Sequence, residues 1–392
     1  MPSESQARLQ RELAEDLRRL ENRKQKRSLI ELVGVNLCSN DYLGLATHRK
    51  LREAIVQAVQ EAPRIGGTGS RLLSGHLAEW DVVEADFAQF ARTEAALYFG
   101  SGYAANLGLL TSLVGRDDVV FSDARNHASL IDGMRLARAQ KEIYRHLDLD
   151  SLENALKKHA HARGRKMIVT ESVFSMDGDC APIAEMVKIA ERYGAGMIVD
   201  EAHAVGVHGP SGRGLVAAAH AEETVWAVVH PCGKALASVG AMVCGSELLK
   251  QHLVNHARTL IFSTAQPPYM ARQIQVALRL AKAMETERVL LLERSRRFCI
   301  ELRNDGWDTA GSTTQIVPVI IGDNAETLAA AEHLQGKGFA VRAIRPPTVS
   351  EGQARLRLSL TCDISSGDLE RLRSALGAWR ERCVLTTGAA RA

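Results

Sequence analysis

The feature that most constrains this chain is a set of short apolar runs, each closing on polar residues. Met167-Ile168-Val169 runs into Thr170-Glu171, Met197-Ile198-Val199 into Asp200, and Val225 to Val229 leads to Gly233-Lys234-Ala235. Runs this short and this apolar read as strands buried on both faces. They recur about every thirty residues with helical patterns between them, such as the one resuming at Ile183, which indicates a mostly parallel, doubly wound sheet. Open sheets of that kind gather ligands at the carboxyl ends of their strands. Asp200, His203 and Lys234 are therefore expected to converge on one sheet edge.

A carboxylate, an imidazole and an amine brought together in this way suit pyridoxal phosphate. The cofactor's aldehyde needs a primary amine to hold it, and lysine is the side chain that offers one, so Lys234 is the candidate. Its pyridine nitrogen must stay protonated to draw electrons from a substrate α-carbon, and a buried carboxylate, Asp200, favours that form. Its phenolate oxygen accepts a hydrogen bond, which His203 could donate. Each residue also has a plainer reading: Asp200 as a loop cap and Lys234 as a solvated side chain.

The remaining punctuation is informative in places. Leu9, Leu13, Leu17 and Leu20 predict an amphipathic helix over residues 4–22, followed by the basic cluster Arg23, Lys24, Lys26 and Arg27. That cluster reads as a solvated helix end or as a contact for an acidic substrate such as a coenzyme A phosphate. Gly66-Gly67-Thr68-Gly69 with Ser74-Gly75 matches no nucleotide fingerprint and reads as a flexible connection. Gly100-Ser101-Gly102-Tyr103 opens a helical pattern at Ala104, where free N–H groups suit a phosphate. His127 precedes another helix and reads locally as a cap or surface histidine. From about residue 286 the pattern becomes a smaller α/β unit: strands Ile316–Ile321, Phe339–Ile344 and Arg355–Leu360, helix Glu326–Lys337 and a closing helix near 367–382. The expected division is an N-terminal arm, 1–44, a large cofactor domain, 45–285, and a small C-terminal domain, 286–392, ending in a disordered tail from Thr386.

A net charge of +3 on 392 residues, with basic and acidic side chains interspersed, leaves no nucleic-acid footprint. Seven cysteines without a Cys-x-x-Cys spacing argue against a zinc site or a disulfide framework and for a reducing compartment. Cys232, close to Lys234, reads as a small buried apolar residue or as a reactive thiol. The amino terminus is charged and no run reaches membrane-spanning length, so the expectation is a cytoplasmic protein with no membrane and no metal.

With these stretches assembled, the chain resembles the pyridoxal-phosphate-dependent α-oxoamine synthases of fold type I, from Asn36 to about Leu376. The matching residues are Ser39-Asn40-Asp41-Tyr42-Leu43-Gly44, Gly69-Ser70-Arg71, Gly102-Tyr103-Ala104-Ala105-Asn106, Val173 to Asp179, Asp200 to His203 and Gly233-Lys234-Ala235. Ala343 to Val349, followed by Arg355-Leu356-Arg357-Leu358, points to the branch that serves biotin synthesis. The resemblance implies the aspartate aminotransferase-like fold, with a mostly parallel central sheet, a short N-terminal segment and a smaller C-terminal α/β domain. It implies that His127 stacks over the cofactor ring and meets the substrate, and that Ser175 and His203 contact the ring oxygen. Gly102 and Tyr103 would lie at the phosphate, and Thr264 would reach a phosphate across a homodimer interface. Arg18, Asn40, Arg345, Thr348 and Arg357 would bind substrate, a guanidinium fork suiting a carboxylate.

The activity implied is condensation of L-alanine with a pimeloyl thioester, on coenzyme A or a carrier protein, with loss of carbon dioxide. Three alternatives stand beside it: a sister synthase using glycine and a short acyl-coenzyme A, a plain aminotransferase, and a catalytically silent binding protein. One departure bears on all of them. The family usually has threonine three residues before the lysine, where this chain has Pro231, which carries neither hydroxyl nor N–H. That leaves the phosphate one donor short, with His230 or a water as the substitute. Ala237 also stands where a glycine is common.

Overall fold

A computed structural model describes residues 3–389, with side chains as far as Arg382. The first strand, β1 (Val35–Asn36), lies outside the main sheet. The apolar runs read at 167–169, 197–199 and 225–229 become β5 (Lys166–Glu171), β6 (Gly196–Asp200) and β7 (Ala227–Pro231), and they are joined by β2 (Ala95–Phe99), β3 (Val119–Asp123), β4 (Gln140–Tyr144) and β8 (Ala241–Gly245). They make one seven-stranded sheet in the order β2-β8-β7-β6-β5-β3-β4, parallel except for β8, which runs against both its neighbours.

Residues alternate across the strands, so each central strand feeds two cores. Ile198, Val169 and Val229 pack on one face with Ala105, Leu109 and Leu130. Met197, Val199, Ile168 and Val228 pack on the other with Leu152, Met186 and Ile189. Burial on both faces explains the absence of polar residues within the runs. The crossover helices carry their own start and stop signals. Ser101 caps Gly102–Leu113, Asp148 caps Leu149–Lys158, and Ile183–Tyr193 stops at Gly194 in the left-handed conformation.

The C-terminal unit is built on β9 (Ile316–Gly322), β10 (Phe339–Ala340), β11 (Ala343–Ile344) and β12 (Ala354–Ser359). The single strand expected over Phe339–Ile344 is in fact two. β10 pairs in parallel with β1, whereas β11 pairs antiparallel with β12, which in turn pairs with β9. The chain changes partner between them, and apolar continuity gives no sign of such a change. The helix expected at Glu326 begins at Asn324, because Asp323 accepts from the N–H groups of Ala325 and Glu326. The closing helix, Ser366–Ala389, runs into the segment expected to be disordered, whose last three residues lie outside the described ones.

The helix Glu4–Asn22 is present, with a Ser3–Gln6 capping box. Its face of Leu9, Leu13, Leu17 and Leu20 stays exposed within the single chain. Among the described residues, no helix is long and apolar enough to cross a membrane. The core that joins the C-terminal unit to the sheet packs Val317, Val319, Leu356 and Leu358 with Tyr42, Leu43 and Phe87.

Candidate active site

Beyond the carboxyl ends of β5, β6 and β7, the loops and one helix end enclose a cavity of about 330 Å³ lined by Glu171, Asp200, His203, Lys234, His127 and Gly102, among others. Lys234 Nζ stands 2.9 Å from His203 Nε2, and the Tyr42 hydroxyl stands 2.6 Å from His203 Nδ1. Burial holds His203 well below the usual imidazole range, so it is neutral and Nε2 is free to accept from the amine. Burial likewise lowers Lys234, with the Asp200 carboxylate pulling the other way. A lysine desolvated in this manner is a better base near neutral pH than a solvated one.

Asp200 is placed by its strand and by two donors. Its Oδ1 accepts from the Ala202 N–H at 2.8 Å and its Oδ2 from Asn106 Nδ2 at 2.7 Å. Glu171 ends the neighbouring strand in register with it. Its carboxyl is fully buried and pushed well above the usual range, by desolvation first and by the Asp200 charge second, so it carries its proton. The cavity floor therefore presents one carboxylate and one neutral acid. Glu171 Oε1 has no hydrogen-bond partner.

The residues fit pyridoxal phosphate at both ends. The helix Gly102–Leu113 starts at the cavity, and Ser101 Oγ takes the Ala104 N–H, which leaves the N–H groups of Gly102 and Tyr103 for an anion. At Gly102 a Cβ would come within 3.1 Å of Pro231 Cγ, so glycine permits the close approach of helix and strand. His127 is at once the cap of helix Ala128–Ala137 and a wall of the cavity.

Pro231 faces this cavity, but His230 cannot replace the missing threonine. Neighbouring side chains on a strand point to opposite faces, and His230 is turned away, packed against Phe87 and Phe90. Burial lowers its imidazole to about 3. Cys232 is also buried and its thiol is pushed up to about 12, which settles it as a packing residue rather than a nucleophile. Ala237 has φ +42, a left-handed backbone that favours glycine over a residue with a Cβ. Replacing Pro231 by Thr restores a hydroxyl donor. The Kd for pyridoxal phosphate is expected to tighten at least about tenfold, since a hydrogen bond to a charged group is worth ~1.5–3 kcal/mol. Fluorescence titration of the apoprotein measures this, and an unchanged Kd would show that the phosphate makes no contact here.

The loop after β5 is clamped to the C-terminal unit. Asp177 pairs with Arg355 at 2.7 Å and with Arg125 at 2.9 Å, while Arg357 donates to the Ser175 carbonyl and, at 3.1 Å, to Asn40 Oδ1. Asn40 also accepts from the Tyr42 hydroxyl, so Arg357 is linked through it to the His203–Lys234 pair. The same loop is tied to the end of β3 by His146, whose two ring nitrogens meet Asp123 and Asp179, each at 2.8 Å. Burial opposes its protonation, but the two aspartates outweigh burial and raise it to about 9. The charged clamp contributes fully below the unfolded value of about 6.5 and is lost as pH rises through about 9. The thermal midpoint should fall across that window in the wild type and lack that component in His146→Gln. Parallel pH curves for the two proteins would refute the clamp.

Not every expected residue reaches the cavity. Arg18 is on the exposed helix and donates to the Ala14 carbonyl. Arg345 binds the Lys24 and Lys26 carbonyls, and Thr348 accepts from Arg27, so these residues form an outer cluster with the N-terminal segment. Thr264 lies in an exposed loop, outside the cavity lining. Conversely, Glu171, Asn106, Ser129 and Tyr42 stand in the site without having been singled out as site residues. For Glu171 the signal was present: it ends an apolar strand just as Asp200 does. A larger hollow of about 990 Å³ opens at the opposite end of β7, near Trp226. Three of its polar side chains are committed elsewhere, Glu222 to Arg213, Arg165 to Asp118 and His252 to the Ser112 carbonyl.

The chain is similar to known proteins over most of its length. The family model described as aminotransferase class I and II matches residues 33–376. An 8-amino-7-oxononanoate synthase from Burkholderia orbicola is 44% identical over 370 residues, covering 92% of this chain and 89% of the relative. Among solved structures, a serine palmitoyltransferase with pyridoxal phosphate matches with TM-score 0.85 and 28% identity, over 89% of this chain and 88% of the other. An 8-amino-7-oxononanoate synthase from Francisella tularensis matches with TM-score 0.77 and 27% identity, over 90% and 99%.

Proposed function

The chain belongs to the aminotransferase class I and II family, and from that premise we propose that it condenses L-alanine with a pimeloyl thioester to give 8-amino-7-oxononanoate, free thiol and carbon dioxide. The single observation that carries this reading is the convergence of Lys234, His203 and Asp200 with a free helix start in one cavity. The relatives named for this reaction add to it. The cofactor is pyridoxal phosphate, which when bound supplies an electron-withdrawing ring that stabilises negative charge at an amino-acid α-carbon.

The chain's own residues do the rest. Among the lining residues Lys234 alone carries a primary amine, which would anchor the cofactor and, as the free base, would take the α-proton of alanine onto Nζ. His203, neutral and braced by Tyr42, orients Nζ by accepting from it. Asp200, fixed by Asn106, would hold the proton on the ring nitrogen, and Glu171, raised well above the usual carboxylate range by burial, would not compete with it as a second charge. Gly102 and Tyr103 offer N–H groups to the phosphate. Lys234 afterwards returns a proton to the product carbon.

The same reading assigns Arg357 and Asn40, with Arg345, Thr348 and Arg18 from the outer cluster and helix, to substrate binding, and Ser175 to the ring oxygen. It includes a cytoplasmic homodimer in which Thr264 serves the partner's phosphate; the uncovered leucine face of helix Glu4–Asn22 supports a second copy. The division at residues 44 and 285 belongs to it as well. To test the function, reconstituted protein is supplied with carboxyl-labelled alanine and pimeloyl-coenzyme A. Equal release of carbon dioxide and thiol, with the product mass, is the expected result. Transamination without carbon dioxide would overturn it, and turnover with glycine and a short acyl donor alone would replace it by the sister reaction.

A further inference from the structure

A chain of hydrogen bonds runs from Asp200 to His127 across two helices. Asn106 Nδ2 donates to Asp200 Oδ2 at 2.7 Å and to Ser129 Oγ at 2.9 Å. Ser129 Oγ stands 2.8 Å from His127 Nδ1, and the Ser129 N–H also donates to Nδ1, at 3.2 Å. The direction of every link follows from donor and acceptor chemistry. Both amide hydrogens of Asn106 are committed, one to an acceptor-only carboxylate, and its Oδ1 is left buried without a partner. Ser129 Oγ accepts from the amide, so its own hydrogen goes to Nδ1. A nitrogen that accepts twice carries no proton. His127 also caps a helix start, where a positive charge is disfavoured.

We propose that Asn106 and Ser129 are positioning residues that lock His127 as the neutral tautomer with its proton on Nε2, making it an obligate donor to the carboxylate of the amino-acid substrate. His127 lines the cavity, and Nε2 has no hydrogen-bond partner among the described residues. Burial lowers the imidazole further from its charged form. The anchor of the device is Asp200, so one carboxylate both faces the cofactor and, through two neutral side chains, sets the polarity of the group on the far wall. This inference rests on the reading of the cavity as an amino-acid site.

The test uses holoprotein carrying 13C- and 15N-labelled histidine rings, with the His127 signals assigned by their loss in His127→Gln. The wild type should show an unprotonated Nδ1 and no titration between about pH 6 and 9, around the ordinary imidazole value. Ser129→Ala, which removes one hydroxyl and no packing bulk, should give mixed tautomers and raise KM for alanine about tenfold, with a much smaller change in kcat. A proton on Nδ1 in the wild type overturns the proposal. So does a Ser129→Ala protein with unchanged tautomer and unchanged KM. The wild-type spectrum needs neither thioester nor turnover, so a failure of the acyl-transfer reading is seen separately.

Discussion

Replacing Lys234 by Ala is expected to lower product formation by at least about 10⁴-fold, since it removes the covalent anchor and the proton-transferring amine together, and general base catalysis alone contributes ~10²–10⁴. The loss should not be one of folding. Lys234 is tucked into the cavity and burial already disfavours its charged form, so exchanging it for a small apolar side chain relieves a desolvation cost rather than breaking a core. The apoprotein's thermal midpoint should therefore hold or rise. Turnover is followed by mass spectrometry of the amino ketone and stability by calorimetry. A variant retaining more than about one part in a hundred of the rate, well above the general-base loss alone, would remove Lys234 from the mechanism.

Asp200→Asn should cost about 10²–10³ in kcat, the scale of losing one preorganised electrostatic partner from a water-excluded site. The shape is kept while the charge is lost, and two effects follow. Nothing then favours the proton on the ring nitrogen, and Lys234 loses the charge that most offsets its burial. The new amide would also face the Asn106 Nδ2 donor, where only an acceptor fits. If Asp200 acted only as the loop cap that its bond to the Ala202 N–H describes, asparagine would serve almost as well and kcat would barely move. Pre-steady-state measurement at saturating substrate distinguishes the two outcomes.

Much of this site can be read in the linear chain, because strand position and chemical type coincide there. Asp200 closes an apolar run, and a parallel sheet puts the ends of such runs side by side, so its meeting with Lys234 follows from periodicity and spacing. Glu171 obeys the same rule, and one neutral acid beside one carboxylate is a matter of burial, which no spacing encodes. His230 shows the opposite limit. It adjoins Pro231 in sequence, yet the pleat sends it into the Phe87–Phe90 core. The strand expected over Phe339–Ile344 broke because its two halves have different partners, 300 residues away for one and about a dozen for the other.

The sequence by itself determined the central parallel strands with helices between them, several helix starts and the three residue types that pyridoxal phosphate requires. These depend on hydrophobic periodicity and on caps, both local properties of the chain. Only the tertiary structure decided which way each polar group faces and what charge it carries. Tyr42 bracing His203, Arg357 reaching Asn40 and Ser175, His146 held between two aspartates, and the polarity of the chain from Asp200 to His127 all join residues distant in sequence or turned to one side of a helix. Their protonation states depend on burial and on neighbours that exist only once the chain has closed around them.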